Sequence, residues 1–192
     1  KEPEYFRKQI ELINERATNL FNVADTLLNW AWSQTEEIVV KKERINLEII
    51  INNQINILKD IAQSKDVEIE ILSKEKINFN TDPKILGIII RNLISNSIKY
   101  SHKGKSITID YFAKGTNVVI EISDSGVGMD NDKIREILAS NINTSTLGTQ
   151  EEKGTGLGLN ICKSLIDKIG GRFFISSKKN KGTSVTIYIP KK

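Results

Sequence analysis

Apolar residues recur along the first forty positions at alternating steps of three and four: Ile10, Ile13, Ala17, Leu20, Ala24, Leu27 and Ala31. This spacing predicts one long helix with a heptad seam, which Phe6 and Ile38 extend. Phe21, Leu28, Trp30 and Trp32 widen the apolar surface beyond that seam. The helix is therefore expected in a helical bundle, covered by a partner helix or a second chain. A helix folded back on its own domain would show the same periodicity, so the pattern establishes the apolar face and not what covers it.

After "VVKKERINL" the texture changes. Glu48 to Ala62 read as a helix, and Val67, Ile69 and Ile71 alternate as a strand. "NTDPKILGIIIRNLISNSIKYS" opens with Asp82 as N-cap and Pro83 at the first helical position, and Leu86, Ile89, Ile90 and Leu93 form an apolar face. Strand alternation returns at Ile107, Ile109 and Tyr111 and at Val118, Ile120 and Ile122, joined by a turn around Lys114–Gly115. A polar stretch from Asp130 to Lys153 holds one short helical piece, Ile134 to Leu138. A helix from Leu157 to Ile169 follows, stopped by Gly170–Gly171. The last hairpin pairs Phe173 and Ile175 with Val185, Ile187 and Ile189. Helices mixed with mostly antiparallel strands predict an α+β fold, a two-layer α/β sandwich behind a helical stalk. Residues 1–41 are assigned to the stalk and 42–192 to the sandwich.

Composition removes several classes of function. The 192 residues are 39% hydrophobic and 27% charged, as expected of a globular protein. The net charge of +4 comes partly from Lys178–Lys181 and Lys191–Lys192. These runs lack interleaved aromatics, so nucleic acid is not an expected partner. One cysteine, Cys162, permits no internal disulfide, and its place in an apolar helical pattern reads as an inert buried thiol. One Cys and one His cannot build a zinc cluster. No apolar run approaches the roughly 18 residues of a membrane span, so no membrane contact is expected within this chain.

Three groups of residues carry candidate chemistry. Asn92, Asn96 and Lys99 share one face of the Asp82-capped helix, displaying two amides and an ammonium. An amide oxygen suits Mg²⁺, which keeps waters and shares substrate phosphates; an ordinary polar face would read the same way. In "ISDSGVGMD", Asp124 stands where strand alternation stops, beside Gly126 and Gly128. A carboxylate there can accept a hydrogen bond from an exocyclic amine while the glycines admit a ring, although Asp-Ser-Gly is also good turn chemistry. In "EEKGTGLGLNICKSL", Gly154, Gly156 and Gly158 precede a helix. That is neither a P-loop nor a dinucleotide fingerprint, but a glycine-rich helix start suits polyphosphate. In this order the three groups argue for a nucleoside triphosphate with Mg²⁺.

"NLISNSIKY", "DSGVGM" and "GTGLGL" resemble the N, G1 and G2 boxes of sensor histidine kinases, in the Bergerat-type ATP-binding fold shared with gyrase, heat-shock chaperone and mismatch-repair ATPases. "GTSVTIYIP" resembles the closing strand of that family, and the heptad helix with "LLNWAWSQ" resembles the second helix of its dimerisation and phosphotransfer hairpin. The resemblance implies that Asn96 ligates Mg²⁺. It implies that Asn92, Lys99 and Tyr100 line the nucleotide and phosphate side, with Asn92 and Lys99 the residues nearest the chemistry. Asp124 would accept the adenine amino group with Thr183 nearby, and Gly126, Gly128 and Met129 would pack at the ring. Gly154, Thr155, Gly156, Leu157 and Gly158 would hold the phosphates at the base of a mobile lid. The implied cofactors are ATP and Mg²⁺. The implied partners are a response-regulator receiver domain and a second copy, joined through the N-terminal helix as a homodimer.

Three features refine the expectation. Hydrolysing members carry a glutamate one helical turn before the magnesium asparagine, as base for water; here that position is Asn92. An amide cannot take the proton, which favours transfer to a protein acceptor over hydrolysis. His102, the single histidine, lies in a loop after the N box and is not the acceptor. The acceptor is expected on a first hairpin helix upstream of Lys1, so this chain alone is not expected to phosphorylate itself. Leu138 takes the place of the lid's usual aromatic. The reading is the kinase core of a cytoplasmic two-component sensor region; the rivals are an ATPase of the same fold and a dimerising adaptor with a vestigial nucleotide site.

Overall fold

The computed structural model describes residues 2–34, 39–139, 148–150, 152 and 156–192. The elements are α1 (Glu2–Gln34), β1 (Glu43–Asn46), α2 (Leu47–Ser64), β2 (Glu68–Ile71), β3 (Asn78–Thr81), α3 (Pro83–Tyr100), β4 (Ser106–Lys114), β5 (Asn117–Asp124), α4 (Asn131–Ala139), α5 (Gly158–Lys168), β6 (Arg172–Lys178) and β7 (Gly182–Pro190). A five-stranded sheet of order β2-β4-β5-β7-β6 carries α2, α3 and α5 against one face. This is the α+β sandwich expected from the sequence.

Alternation explains which face is covered. Ile107, Ile109 and Tyr111 of β4, Val118, Ile120 and Ile122 of β5, and Val185, Ile187 and Ile189 of β7 are all buried with α3 and α5. The register brings Ile109 opposite Ile122 and Ile122 opposite Val185, so the apolar rows are continuous across three strands. Two features differ from the sequence expectation. β2 runs parallel to β4, because the chain crosses through β3 and α3 between them. Short β1 and β3 form a separate antiparallel pair, with Ile45 opposite Phe79; four-residue strands hold too few alternations to be read.

α3 is the central helix. Its expected apolar face is there, but Ile85, Gly87, Ile88, Ile94 and Ile98 are buried as well, because α2 and α5 flank it while the sheet lies beneath. Asp82 caps it, with Oδ1 accepting from the Lys84 and Ile85 N–H groups at 3.0 and 3.1 Å. Its Oδ2 accepts from the Lys41 N–H at 2.9 Å, tying the start of the sandwich to the same carboxylate. Asp82→Ala is expected to cost ~2 kcal/mol, the upper end for a lost cap. For a chain of this size that is roughly 4–8 °C in thermal midpoint, with Asp82→Asn restoring most of it in the same melt.

α2 starts one residue before its expected first residue, capped by the Asn46 side chain on the Ile49 N–H. α4 begins at Asn131, earlier than read, because Asp130 caps it through the Lys133 N–H at 2.9 Å. α5 ends as expected, with the Gly170 and Gly171 N–H groups on the Asp167 and Ile166 carbonyls. α1 reaches Gln34 and touches α5, where the Ser164 hydroxyl donates to the Ser33 carbonyl at 3.0 Å. Along its length Ile10, Ile13, Leu20, Leu27 and Leu28 stand exposed. Ile38 falls outside the described residues. Cys162 is fully buried in α5, and burial pushes its thiol far above the ordinary range, so it is chemically inert as expected.

Candidate functional site

β5 delivers Asp124 to the end of the sheet, opposite Thr183 on β7. One carboxylate oxygen, Oδ1, accepts from the Gly126 N–H at 2.9 Å and the Thr183 N–H at 3.2 Å. The Ser97 hydroxyl on α3 hydrogen-bonds the same side chain. Burial pushes the Asp124 carboxyl above its ordinary range, and the bonds from Gly126, Thr183 and Ser97 pull it back only in part. Both backbone donors fall on Oδ1, and a carboxylate oxygen has more than one lone pair, so the side chain can accept from a ligand donor as well.

The chain after Asp124 is pressed against α3. The Val127 N–H donates to the Tyr100 carbonyl at 3.1 Å. A Cβ on Gly126 would collide with that same carbonyl and lie 2.9 Å from Asp124 Oδ1. Gly128 needs to be glycine twice over: its φ is +60°, and a Cβ would strike the Lys178 carbonyl. The Met129 N–H then donates to Ser177 Oγ at 2.8 Å, and Ser177 shares a 2.8 Å hydrogen bond with Thr183 Oγ1. The β6–β7 turn and the loop after β5 are thus locked together around Asp124.

The second group lies along α3. Asn92 Nδ2 donates to the Ile88 carbonyl at 2.9 Å within the helix. A Cβ on Gly158 would lie 3.2 Å from Asn92 Oδ1 and 3.4 Å from Asn96 Nδ2, so the missing side chain lets the start of α5 sit directly over both amides. Leu157, the N-cap of α5, makes no side-chain capping hydrogen bond. A helix start without a side-chain cap, beside two amides, can receive an anion and a hard cation bound to it. Lys99 places its ammonium 4.8 Å from the Tyr100 ring centre.

The structure therefore brings Asn92, Asn96 and Gly158 together, and separately Tyr100, Asp124, Gly126, Gly128, Met129 and Thr183. Leu157 is buried in the core. Gly156 is half-buried with a φ of +73°. Gly154 and Thr155 fall outside the described residues, as does the side chain of Leu138. His102 is exposed beyond the end of α3. Sequence reasoning missed Ser97 and Ser177. Ser97 adjoins Asn96 and so was within reach of the same helical argument; Ser177 has no signal apart from its register opposite Thr183.

The chain is similar to known proteins in sequence and in fold. The model of the histidine kinase-, DNA gyrase B- and HSP90-like ATPases matches residues 81–192, and the chain belongs to that family, as an ATP-binding catalytic domain of the sensor histidine kinase type. Among its relatives is the autoinducer 2 sensor kinase/phosphatase LuxQ of Vibrio vulnificus, 29% identical over 190 residues, covering 95% of this chain. The chain spans 22% of that protein's length. Full-length ShkA, solved in complex with AMPPNP, superposes with a TM-score of 0.76 over 96% of this chain and 38% of its own, at 20% identity. The histidine kinase ThkA, solved with the response regulator TrrA, superposes with a TM-score of 0.73 over all of this chain and 53% of its own, at 21% identity. Among the described residues no helix is long and apolar enough to cross a membrane.

Proposed function

We propose that this chain is the ATP-binding kinase core of a two-component sensor, directing the γ-phosphate of Mg-ATP to a histidine other than His102 and from there to a response-regulator aspartate. The observation that carries the reading is the pair of amides, Asn92 and Asn96, set against the start of α5 at Gly158. An amide at position 92 cannot deprotonate water, so a bound γ-phosphate is kept for a protein nucleophile. The relation to LuxQ, and the AMPPNP and TrrA complexes of ShkA and ThkA, support the nucleotide and the acceptor protein by analogy.

In this reading Asp124 accepts the adenine amino group, and Gly126 and Gly128 leave room for the ring. Met129 and Thr183 flank it. Lys99 and Tyr100 line the phosphate side, and Gly154 to Gly158 hold the phosphates with backbone N–H groups. Among the described residues, no group of three or more His, Cys, Asp or Glu side chains is placed to hold a metal. A cation here would therefore be shared between Asn96 and phosphate oxygens, which suits Mg²⁺. The ion would supply charge neutralisation on the transferring phosphoryl group. Residues 1–41 belong to a dimerisation and phosphotransfer hairpin, whose partner helices cover the exposed apolar side chains of α1, and 42–192 form the catalytic domain.

Calorimetry tests this directly. The chain is expected to bind ATP in a Mg²⁺-dependent manner, to take up no phosphate on itself, and to hydrolyse ATP no faster than a heat-denatured control. Steady turnover would replace the kinase reading by an ATPase. No heat of binding would leave the dimerising adaptor.

A further inference from the structure

Lys65 is a buried lysine outside the groups described so far. It follows the last turn of α2, and only 3% of its side chain is exposed. Its ammonium donates to two oxygens, each at 2.5 Å: Glu152 Oε1 and the Lys99 carbonyl near the C-terminal end of α3. The same Lys99 carbonyl accepts from the Thr149 N–H at 3.2 Å, and the Thr149 hydroxyl donates to the Ser101 carbonyl at 2.6 Å. Glu152 completes the arrangement from the other side. Its Oε2 accepts from the Gln150 N–H at 2.8 Å, and its carbonyl accepts from the Gly148 N–H at 3.0 Å. A Cβ on Gly148 would lie 2.7 Å from Lys99 Cγ. Three parts of the chain that are distant in sequence are thus tied at one ammonium: the end of α2, the end of α3 that bears Lys99, and the Gly148–Gln150 turn with Glu152.

We infer that Lys65 and Glu152 are positioning residues for nucleotide binding, fixing Lys99 and the Gly148–Gln150 turn relative to each other. The inference rests on the nucleotide reading above. The physical case is the buried charge. An ammonium at this depth is tolerated only with its donors satisfied, and removing one partner leaves the other charge uncompensated. Burial would raise the Glu152 carboxyl, but the hydrogen bond from Lys65, helped by the Gln150 N–H, outweighs it and holds the carboxyl below its ordinary range. Glu152 is therefore an anion at neutral pH, and the placement is specific: Glu152 sits four residues before Gly156, and Lys99 lies seven residues after Asn92 on α3. Among the described residues Lys65 and Glu152 hydrogen-bond neither Asn92 nor Asp124, so both act through what they hold.

The test uses the chain as it stands, with Lys65→Met, Glu152→Gln and the double variant. In nucleotide-free protein, hydrogen exchange at the Gly148, Thr149 and Gln150 amides is expected to quicken at least tenfold in either single variant, and no further in the double. Calorimetry is expected to show the Kd for Mg-ATP rising about tenfold in each single variant and by the same factor in the double. The Kd for AMP, which has no β- or γ-phosphate to be positioned, is expected to stay within twofold; a general loosening of the fold would move both nucleotides together. Glu152→Gln is the milder change at a half-buried side chain, and it stands in if Lys65→Met does not fold. Unchanged exchange, unchanged Mg-ATP affinity in a folded variant, or equal losses for AMP and ATP would overturn the inference while leaving the nucleotide reading in place. Failure of the unmutated chain to bind Mg-ATP would overturn the nucleotide reading itself, and the positioning role with it.

Discussion

Asp124→Asn is expected to weaken adenine-nucleotide binding about 100-fold while leaving the fold intact or slightly more stable. Asparagine can keep Oδ1 as acceptor for the Gly126 and Thr183 N–H groups, so the local turn survives. What changes is the outer atom, where an accepting oxygen becomes a donating NH₂ facing the proposed adenine amine. Losing a hydrogen bond to a charged group, with two donors left opposed, costs ~3 kcal/mol, or about 100-fold in Kd. Stability moves the other way because burial holds the Asp124 carboxyl above its ordinary range. The sign follows from linkage: between the unfolded and folded pKa values the native state binds more protons. The unmutated chain therefore gains stability as pH falls and loses it as pH rises through the folded pKa. Thermal melts between about pH 4 and pH 7 are expected to show that contribution in the unmutated chain and not in Asp124→Asn. Retained nucleotide binding by a folded Asp124→Asn would remove Asp124 from the adenine site.

Gly128→Ala is expected to be strongly damaging, because its methyl group would meet both a positive φ and fixed backbone. Its φ of +60° and that of Gly115, +57°, are nearly the same, so the backbone penalty for alanine is ~1–2 kcal/mol at both. Their surroundings differ. A Cβ on Gly115 meets nothing within 4 Å, whereas on Gly128 it strikes the Lys178 carbonyl and comes within 3.0 Å of the Gly182 carbonyl. Both obstacles are backbone of the β6–β7 hairpin and cannot rotate aside. The total at Gly128 is expected near ~4 kcal/mol, with a fall in thermal midpoint of roughly 10 °C and loss of nucleotide binding. Gly115→Ala should stay within roughly 5 °C of the unmutated chain and bind nucleotide normally. Equal melting points for the two variants would show that the hairpin does not press on Gly128 in solution.

Much of this was legible in the sequence, and the reason is local. Asp82–Pro83 announces α3 because capping and a fixed φ act over a few residues, and the alternation of β4, β5 and β7 is written by one buried face. Asn92 and Asn96 fell on one side of α3 by helical spacing alone. What was not legible depends on contacts between distant segments. The α3 pattern understated its burial, since three elements surround it and a single-faced helix does not. The parallel β2–β4 pair follows from a crossover that alternation does not encode. Lys65 reads as one more lysine at a helix end, and Glu152 as one more acid in a polar run; only the fold shows that they meet. Ser177 gains its place near Asp124 through the β6–β7 register, which a lone serine does not announce.

The insertion of β7 between β5 and β6 has a bearing on how the chain matures. Before Gly182–Pro190 have zipped into place, a β4–β5 hairpin presents the open edge of Asn117–Asp124, with Val118, Ile120 and Ile122 on one side of it. Such an edge invites pairing with another nascent chain, and it is the surface that folding assistants would have to shield. The same event supplies the Thr183 N–H to Asp124 and the Gly182 and Lys178 carbonyls around Gly128. Competence to bind nucleotide thus arrives with the closing of the sheet, and a nucleotide would reward by mass action only those molecules that have finished folding.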